Sequence, residues 1–333
     1  MENDASTRRM RATLCMAAVA VLVPGEASSQ TAWRPDKPVE LVVPTSAGGN
    51  NDRMLRLVQK VLQDHKLVTT PVLVLNKPGG NQHLAVVYMS QHAADPHYIM
   101  MTNSTLFTNE LNGLSKQPYT NLTPLALMIV ESNAFTVSTD SPLSSMRDLM
   151  ARLRADLESL SFAMPARGGV THIALAAAVK AAGLDPRRLK IVVFKTSGES
   201  ITSIAGGHVD VMVSSLASVM GVAQAGKARV LGIAARERRG GAAANVPTLR
   251  EQGIDTDGVA AWRGLSGPAE LAPGQVAFWD ETLAKVFESG DWKDYLAKND
   301  LPPQHLRSRD FAKYLQGEYE TTKAVMADIG LGK

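Results

Sequence analysis

Residues 39–62 read VELVVPTSAGGNNDRMLRLVQKVL, and the interpretation of this stretch decides the fold. VELVV (39–43) is a nearly unbroken apolar run, the pattern of a strand buried on both faces. RMLRLVQKVL (53–62) carries its apolar residues at helical spacing. Between them, Thr45–Asp52 makes a turn around two adjacent glycines. A glycine-rich turn from strand to helix directs backbone N–H groups at an anion beside the helix N-terminus. A phosphate loop would place a lysine near Asn50 and Asn51, and neither GxGxxG nor GxxxxGK[ST] occurs, so nucleotide binding has no support.

Outward from this unit, the same alternation repeats. VLVLN (72–76) is followed by the turn KPGGNQ (77–82) and a helix over 83–93, and HYIMMTNS (97–104) is a third strand with a polar end. LALMIVESNAFTVSTD (125–140) holds two β-like stretches, and a helix over 144–158 opens a second series. Its strands are LSFAMP (160–165), KIVVFK (190–195), DVMVSSL (210–216) and ARVLGIAA (228–235). Helices are expected over 52–65, 173–182, 198–206, 273–288 and 308–328, with 236–248 an exposed loop. Alternating strands and helices imply an α/β protein.

The first thirty residues stand apart. Arg8, Arg9 and Arg11 precede TLCMAAVAVLV (13–23), an apolar run of eleven residues broken by Pro24 and Gly25. Small residues follow, with cleavage expected after Ser29. This is the pattern of a secretory signal, too short to span a bilayer. Cys15, the single cysteine, lies inside it. No small residue precedes it to suggest a lipid anchor, and residues 30–333 have no thiol. An exported chain of this length without disulfides suits the bacterial periplasm. The signal removes three acidic and three basic residues, so the formal charge stays at +3, too mild to imply nucleic acid.

Catalytic signatures are lacking. There is no GxSxG or HExxH, and the seven histidines are scattered at 65, 83, 92, 97, 172, 208 and 305. Instead there are six polar turns after strands: Thr45–Asp52, Gly79–Gln82, Asn103–Thr105, Ala166–His172, Thr196–Glu199 and Ser214–Ser215. In open α/β sheets, ligands bind at the carboxyl ends of strands, where such turns lie. Two α/β lobes suit a hinged protein that closes on a small polar ligand. Two other readings use the same residues. One is a secreted hydrolase with Ser214 or Ser46 as nucleophile and His172 as base. The other is a ligand sensor that presents its bound state to a membrane kinase.

Seven segments in order resemble the substrate-binding proteins of tripartite tricarboxylate transporters, the Bug (Bordetella uptake gene) family. They are WRPDKPVELVVPTSAGGNND (33–52), VLVLNKPGGN (72–81), NLTPLALM (121–128), SFAMPARGGVTHIA (161–174), SIAGGHVDVMVSS (203–215), AGKARVLGIAARER (225–238) and NVPTLREQGI (245–254). The resemblance implies a type II periplasmic-binding-protein fold, two α/β domains joined by crossing strands around a ligand cleft. The first domain would comprise 33–132 and 251–333, and the second 133–250. The expected ligand is a small organic carboxylate delivered to integral-membrane transporter subunits. No catalysis, cofactor, metal or nucleic acid is expected, and the chain is expected to be a monomer.

By motif position, the resemblance assigns Thr45, Ser46, Ala47, Gly49, Asn50 and Asp52 to one end of the ligand. Ser104 and Thr105 form a second turn. Gly168, Gly169, Val170, Thr171 and His172 come from the second domain, and Thr196, Ser197 and Ser214 close the far wall. Asp52 has an alternative role, holding the loop in shape, because a carboxylate repels an anionic ligand. His172 could equally be a structural cap, and Trp262 is read as hinge packing. Phe194-Lys195-Thr196 lacks the family's tyrosine, and Thr45-Ser46 and Asn50-Asn51 depart from its first loop. Arg167 is the one cation inside a candidate loop, and it is expected to pair with a second acidic group.

Overall fold

The computed structural model describes residues 33–331, apart from Ala166, Lys195, Thr196, Asp300 and Pro302, and without the side chain of Ser197. The expected leader lies outside these residues. Strand β1 (Val39–Val43) feeds α1 (Asn50–Asp64), β2 (Val72–Asn76) precedes α2 (His83–Ser90), and β3 (Tyr98–Asn103) leads directly into α3 (Thr105–Leu111). The long β4 (Leu122–Glu131) is separated by Ser132 alone from β5 (Asn133–Ser138), the first strand of a different sheet.

The second series contains α4 (Met146–Ala155), β6 (Ser161–Met164), α5 (Val170–Ala181), β7 (Lys190–Val193), α6 (Ser197–Ala205), β8 (Val211–Ser215), α7 (Leu216–Gln224) and β9 (Ala228–Ala234). The chain then returns to the first sheet as β10 (Ala261–Pro268). It ends with α8 (Pro273–Glu288), α9 (Gly290–Lys298), β11 (Leu306–Arg307) and α10 (Ser308–Asp328). The sheet orders are β2-β1-β3-β10-β4-β11 and β9-β5-β8-β6-β7. In each sheet a parallel part meets antiparallel strands: β10 runs against β3 and β4, and β5 runs against β8 and β9.

The elements form where the apolar pattern is strongest. In β1 every residue but Glu40 is fully buried, matching a strand covered on both faces. Helix α1 buries Met54, Leu55, Val58, Val61 and Leu62, one stripe at helical spacing, against Trp279, Leu283 and Val286 of α8. A separate core under the other sheet gathers Phe135, Leu149, Leu153, Phe162 and Val213.

The sequence pattern offers no strand at 262–271, yet β10 lies there between β3 and β4. Its glycines hide the periodicity. A Cβ on Gly264 would overlap the Phe311 ring, and one on Gly267 would strike Leu271, so glycine lets α10 and the following turn pack on the strand. Helices α3, α7 and α9 are likewise structural findings. They are short or rich in small residues, and little in their local pattern separates them from loops.

Candidate functional site

The loops after β1, β3, β6 and β8 converge on a cleft of about 1070 Å³ with contributions from both sheets. The turn before α2 and the start of α6 complete its rim.

The first loop is shaped by its glycines and braced by one carboxylate. Gly48 takes φ +80°, and Gly49 is extended at the N-cap of α1. Asp52, third residue of the helix, turns back under the loop. It accepts the Gly48 N–H at 2.9 Å, Asn76 Nδ2 at 3.0 Å and Arg56 Nε at 2.9 Å. Asn76, at the end of β2, also donates to the Thr45 carbonyl at 3.0 Å. The Arg56 hydrogen bond, helped by Gly48 and Asn76 and opposed by burial, holds the Asp52 carboxyl at about 2.

The second loop repeats this design. Gly168 takes φ +72°, and Gly169 is the extended N-cap of α5. His172 is again third in the helix, and its Nδ1 accepts the Gly168 N–H at 2.9 Å. That bond needs an unprotonated Nδ1. Burial, and secondarily the charge on Arg167, push the His172 pKa below its ordinary value. Both helices open alike, with Arg53 N–H donating to the Gly49 carbonyl and Ile173 N–H to the Gly169 carbonyl, each at 3.0 Å. Asn112, which follows α3, donates to the Gly168 carbonyl at 3.3 Å and so links the first series of elements to this loop.

Of the residues assigned from sequence, Thr45, Ser46, Ala47, Gly49, Asn50, Ser104, Thr105, Gly169, Val170, Thr171 and Ser214 lie on the cleft wall. Asp52, Arg167, Gly168 and His172 do not. Asp52 and His172 are turned inward as acceptors for their own loops, and Gly168 supplies the N–H that His172 accepts. Arg167 directs Nη2 to the Ile191 carbonyl of β7 at 3.1 Å, satisfying an acceptor of this edge strand instead of entering the cleft. Thr196 and the Ser197 side chain lie outside the described residues, although their neighbours Gly198 and Ser200 line the wall.

The charged residues of the cleft are not among those assigned from sequence. Among the described residues lining the cleft, the charged ones are Arg53, Glu131 and Arg263. Arg263, on β10, donates through Nε to Asn51 Oδ1 at 2.8 Å and through Nη1 to Glu131 Oε2. Arg53 donates to the Gly48 carbonyl at 2.6 Å and to Asn50 Oδ1. Arg263 carries no signal in the sequence, because the strand that places it is itself not visible there. Tyr295 reaches the cleft from α9, whose existence the sequence pattern does not show. Trp262 also lines the cleft while packing edge-on to Phe311 and tilted against Phe107.

The geometry gives the hydrolase reading no support. Among the described hydrogen bonds, Ser214 Oγ donates to the Ser215 carbonyl, and His172 is occupied by a backbone N–H. A nucleophilic serine needs a base within hydrogen-bond reach. No group of three potential metal ligands occurs among the described residues, and no helix there is long and apolar enough to cross a membrane.

Two sheets with crossing connections and a polar cleft at their strand ends define the class, a two-lobed α/β solute-binding protein. Residues 54–331 match the model of the tripartite tricarboxylate transporter family receptor, and the chain belongs to that family. It is 27% identical over 313 residues to the Cupriavidus necator protein called the UPF0065 protein in the gbd 5′ region, covering 92% of each chain. Among solved structures, an R. palustris protein with adipate superposes with a TM-score of 0.79 at 22% identity, covering 90% of this chain and 99% of that one. MatC from Rhodopseudomonas palustris with bound malate gives 0.75 at 23% identity, covering 87% and 99%.

Proposed function

We propose that this chain is a periplasmic receptor that captures a small organic carboxylate between its lobes and delivers it to a tripartite tricarboxylate-type membrane transporter. The observation that carries the reading is the pair of matched glycine loops. Each opens a helix onto one cleft, α1 from one side and α5 from the other. Unsatisfied N–H groups at a helix start and the positive end of its dipole favour an anion there. Serine, threonine and asparagine side chains on the same wall supply neutral donors, directly or through water.

The malate and adipate bound by two proteins of similar fold support a carboxylate ligand. The basic, apolar leader at 8–23 supports export. The lobes we assign are 33–132 with 251–333, and 133–250, and the two sheets with their short Ser132 crossing support this division. A cleft much larger than a six-carbon acid supports closure of the lobes on the ligand. In this role the protein releases its ligand unchanged.

A thermal-shift screen of mono-, di- and tricarboxylates, aromatic acids and acidic amino acids tests the reading. A true ligand at 100 times its dissociation constant stabilises the fold by about 2.7 kcal/mol. No shift with any organic acid would overturn the carboxylate assignment.

A further inference from the structure

We infer that Arg53 and Arg263 are specificity-determining residues that receive a second acidic group on the ligand, so that the site selects dianions over monoanions and zwitterions. The inference rests on the carboxylate reading and adds to it a location, two residues and a charge requirement.

Arg53 is the first observation. It is exposed at the cleft, and its guanidinium is fixed by two neutral acceptors of its own loop, the Gly48 carbonyl and Asn50 Oδ1. No carboxylate pairs with it among the described residues. The planar fork of a guanidinium suits a carboxylate. Here the fork is positioned at the cleft and its charge is left uncompensated.

Arg263 is the second. Its side chain is only 16% exposed and Glu131 only 4%, so the two form an ion pair at the base of the same region. Asn51 Oδ1 takes Nε, and Nη1 goes to Glu131, which leaves Nη2 without a partner among the described residues. Asn51 lies two residues before Arg53 and so joins the two arginines through the first turn of α1.

Tyr295 is the third. It lines the cleft from α9, half-buried, in the electrostatic field of Arg53, Arg263 and Glu131. It therefore adds a phenol donor to the same corner. The formal charge of the described lining is one positive in excess, from two arginines against one glutamate. With one ligand carboxylate held by the backbone N–H groups of the glycine loops, a second one balances this excess. A ligand ammonium would face Arg53, and the glutamate that might attract it is already committed to Arg263.

The test is calorimetric titration of the full mature chain with matched pairs: succinate and butyrate, glutarate and valerate, adipate and hexanoate, with glutamate as the zwitterion. The wild type is expected to bind at least one diacid about tenfold or more tightly than its matched monoacid. Arg53→Gln is expected to bring that ratio close to one, with the diacid losing far more affinity than the monoacid. Arg263→Gln alone would strand a buried carboxylate, so the second variant is Glu131→Gln/Arg263→Gln, which removes both charges and should also lower the ratio. An unchanged ratio in Arg53→Gln, or a wild type that prefers the monoacid or glutamate, overturns the inference while leaving carboxylate binding in place. Failure of every acid to bind overturns both.

Discussion

Two loops of this protein share one backbone plan and differ in the side chain that holds it. In SAGGNND (46–52) and GGVTH (168–172) a glycine with positive φ is followed by an extended glycine N-cap, and the third helical residue reaches back to the first glycine's N–H. In the first loop that residue is Asp52, tied also to Asn76 on the neighbouring strand and to Arg56 one turn along the helix. In the second it is His172, with a single side-chain hydrogen bond among the described residues and Arg167 nearby. A carboxylate accepts several donors and favours a helix N-terminus, whereas a neutral imidazole offers one acceptor. The first loop is thus a braced platform, while in the second the side-chain brace from the helix is one bond that a proton can remove, beside the Asn112 link to the Gly168 carbonyl.

The largest effect should come from breaking the brace. Asp52→Ala leaves Gly48 and Asn76 without their acceptor and should cost about 3 kcal/mol in urea unfolding, more than His172→Ala. A greater loss in His172→Ala would reverse the ranking of the two loops.

The glycines sharpen the comparison. Gly168→Ala combines a left-handed backbone with a new Cβ 2.9 Å from Asn112 Nδ2, the group that links the loop to α3. We expect a loss of about 2 kcal/mol together with weaker ligand binding. Gly48 has the same backbone sign but nothing within 4 Å of a new Cβ, so Gly48→Ala should cost only the strain, about 1 kcal/mol. Equal losses would show that the Asn112 contact contributes little.

The smallest effect is one of pH. His172 binds its proton less readily in the folded chain than at its ordinary pKa of 6.5. Between the lowered pKa and 6.5 the unfolded state holds more protons, so stability rises with pH there. The contribution is complete above about 6.5 and is lost as pH falls through the native value. His172→Asn keeps an acceptor without the titration, and should flatten this part of the stability profile. For Asp52 the folded value is about 2 against an ordinary 3.8, so its contribution is complete above 3.8 and fades only in stronger acid. The first loop should therefore keep its shape through the range where the second weakens.

Much of this was legible in the sequence because it is local. A buried apolar run, two glycines and a helical stripe are enough to write strand, turn and helix at 39–64, and again around Ser161–Ala181. The polar turns could be found the same way, since each follows a strand directly. The order of seven motifs led to the family. β10 was not legible, because Gly264 and Gly267 meet packing demands set by Phe311 and Leu271, distant or displaced in the chain. Side-chain direction was not legible either. Asp52 and Arg167 stand in loops that shape the cleft, yet both are spent on acceptors and donors of the scaffold.

The α/β class, the family and the position of the two glycine turns could be read from the chain alone, because propensity, turn chemistry and apolar period act over a few residues. Which charges face the cleft emerges only when distant parts of the chain are brought together. Arg53, Glu131 and Arg263 come from a helix, the end of β4 and a returning strand. Whether a long side chain enters the cleft or binds the scaffold depends on partners supplied by other parts of the chain.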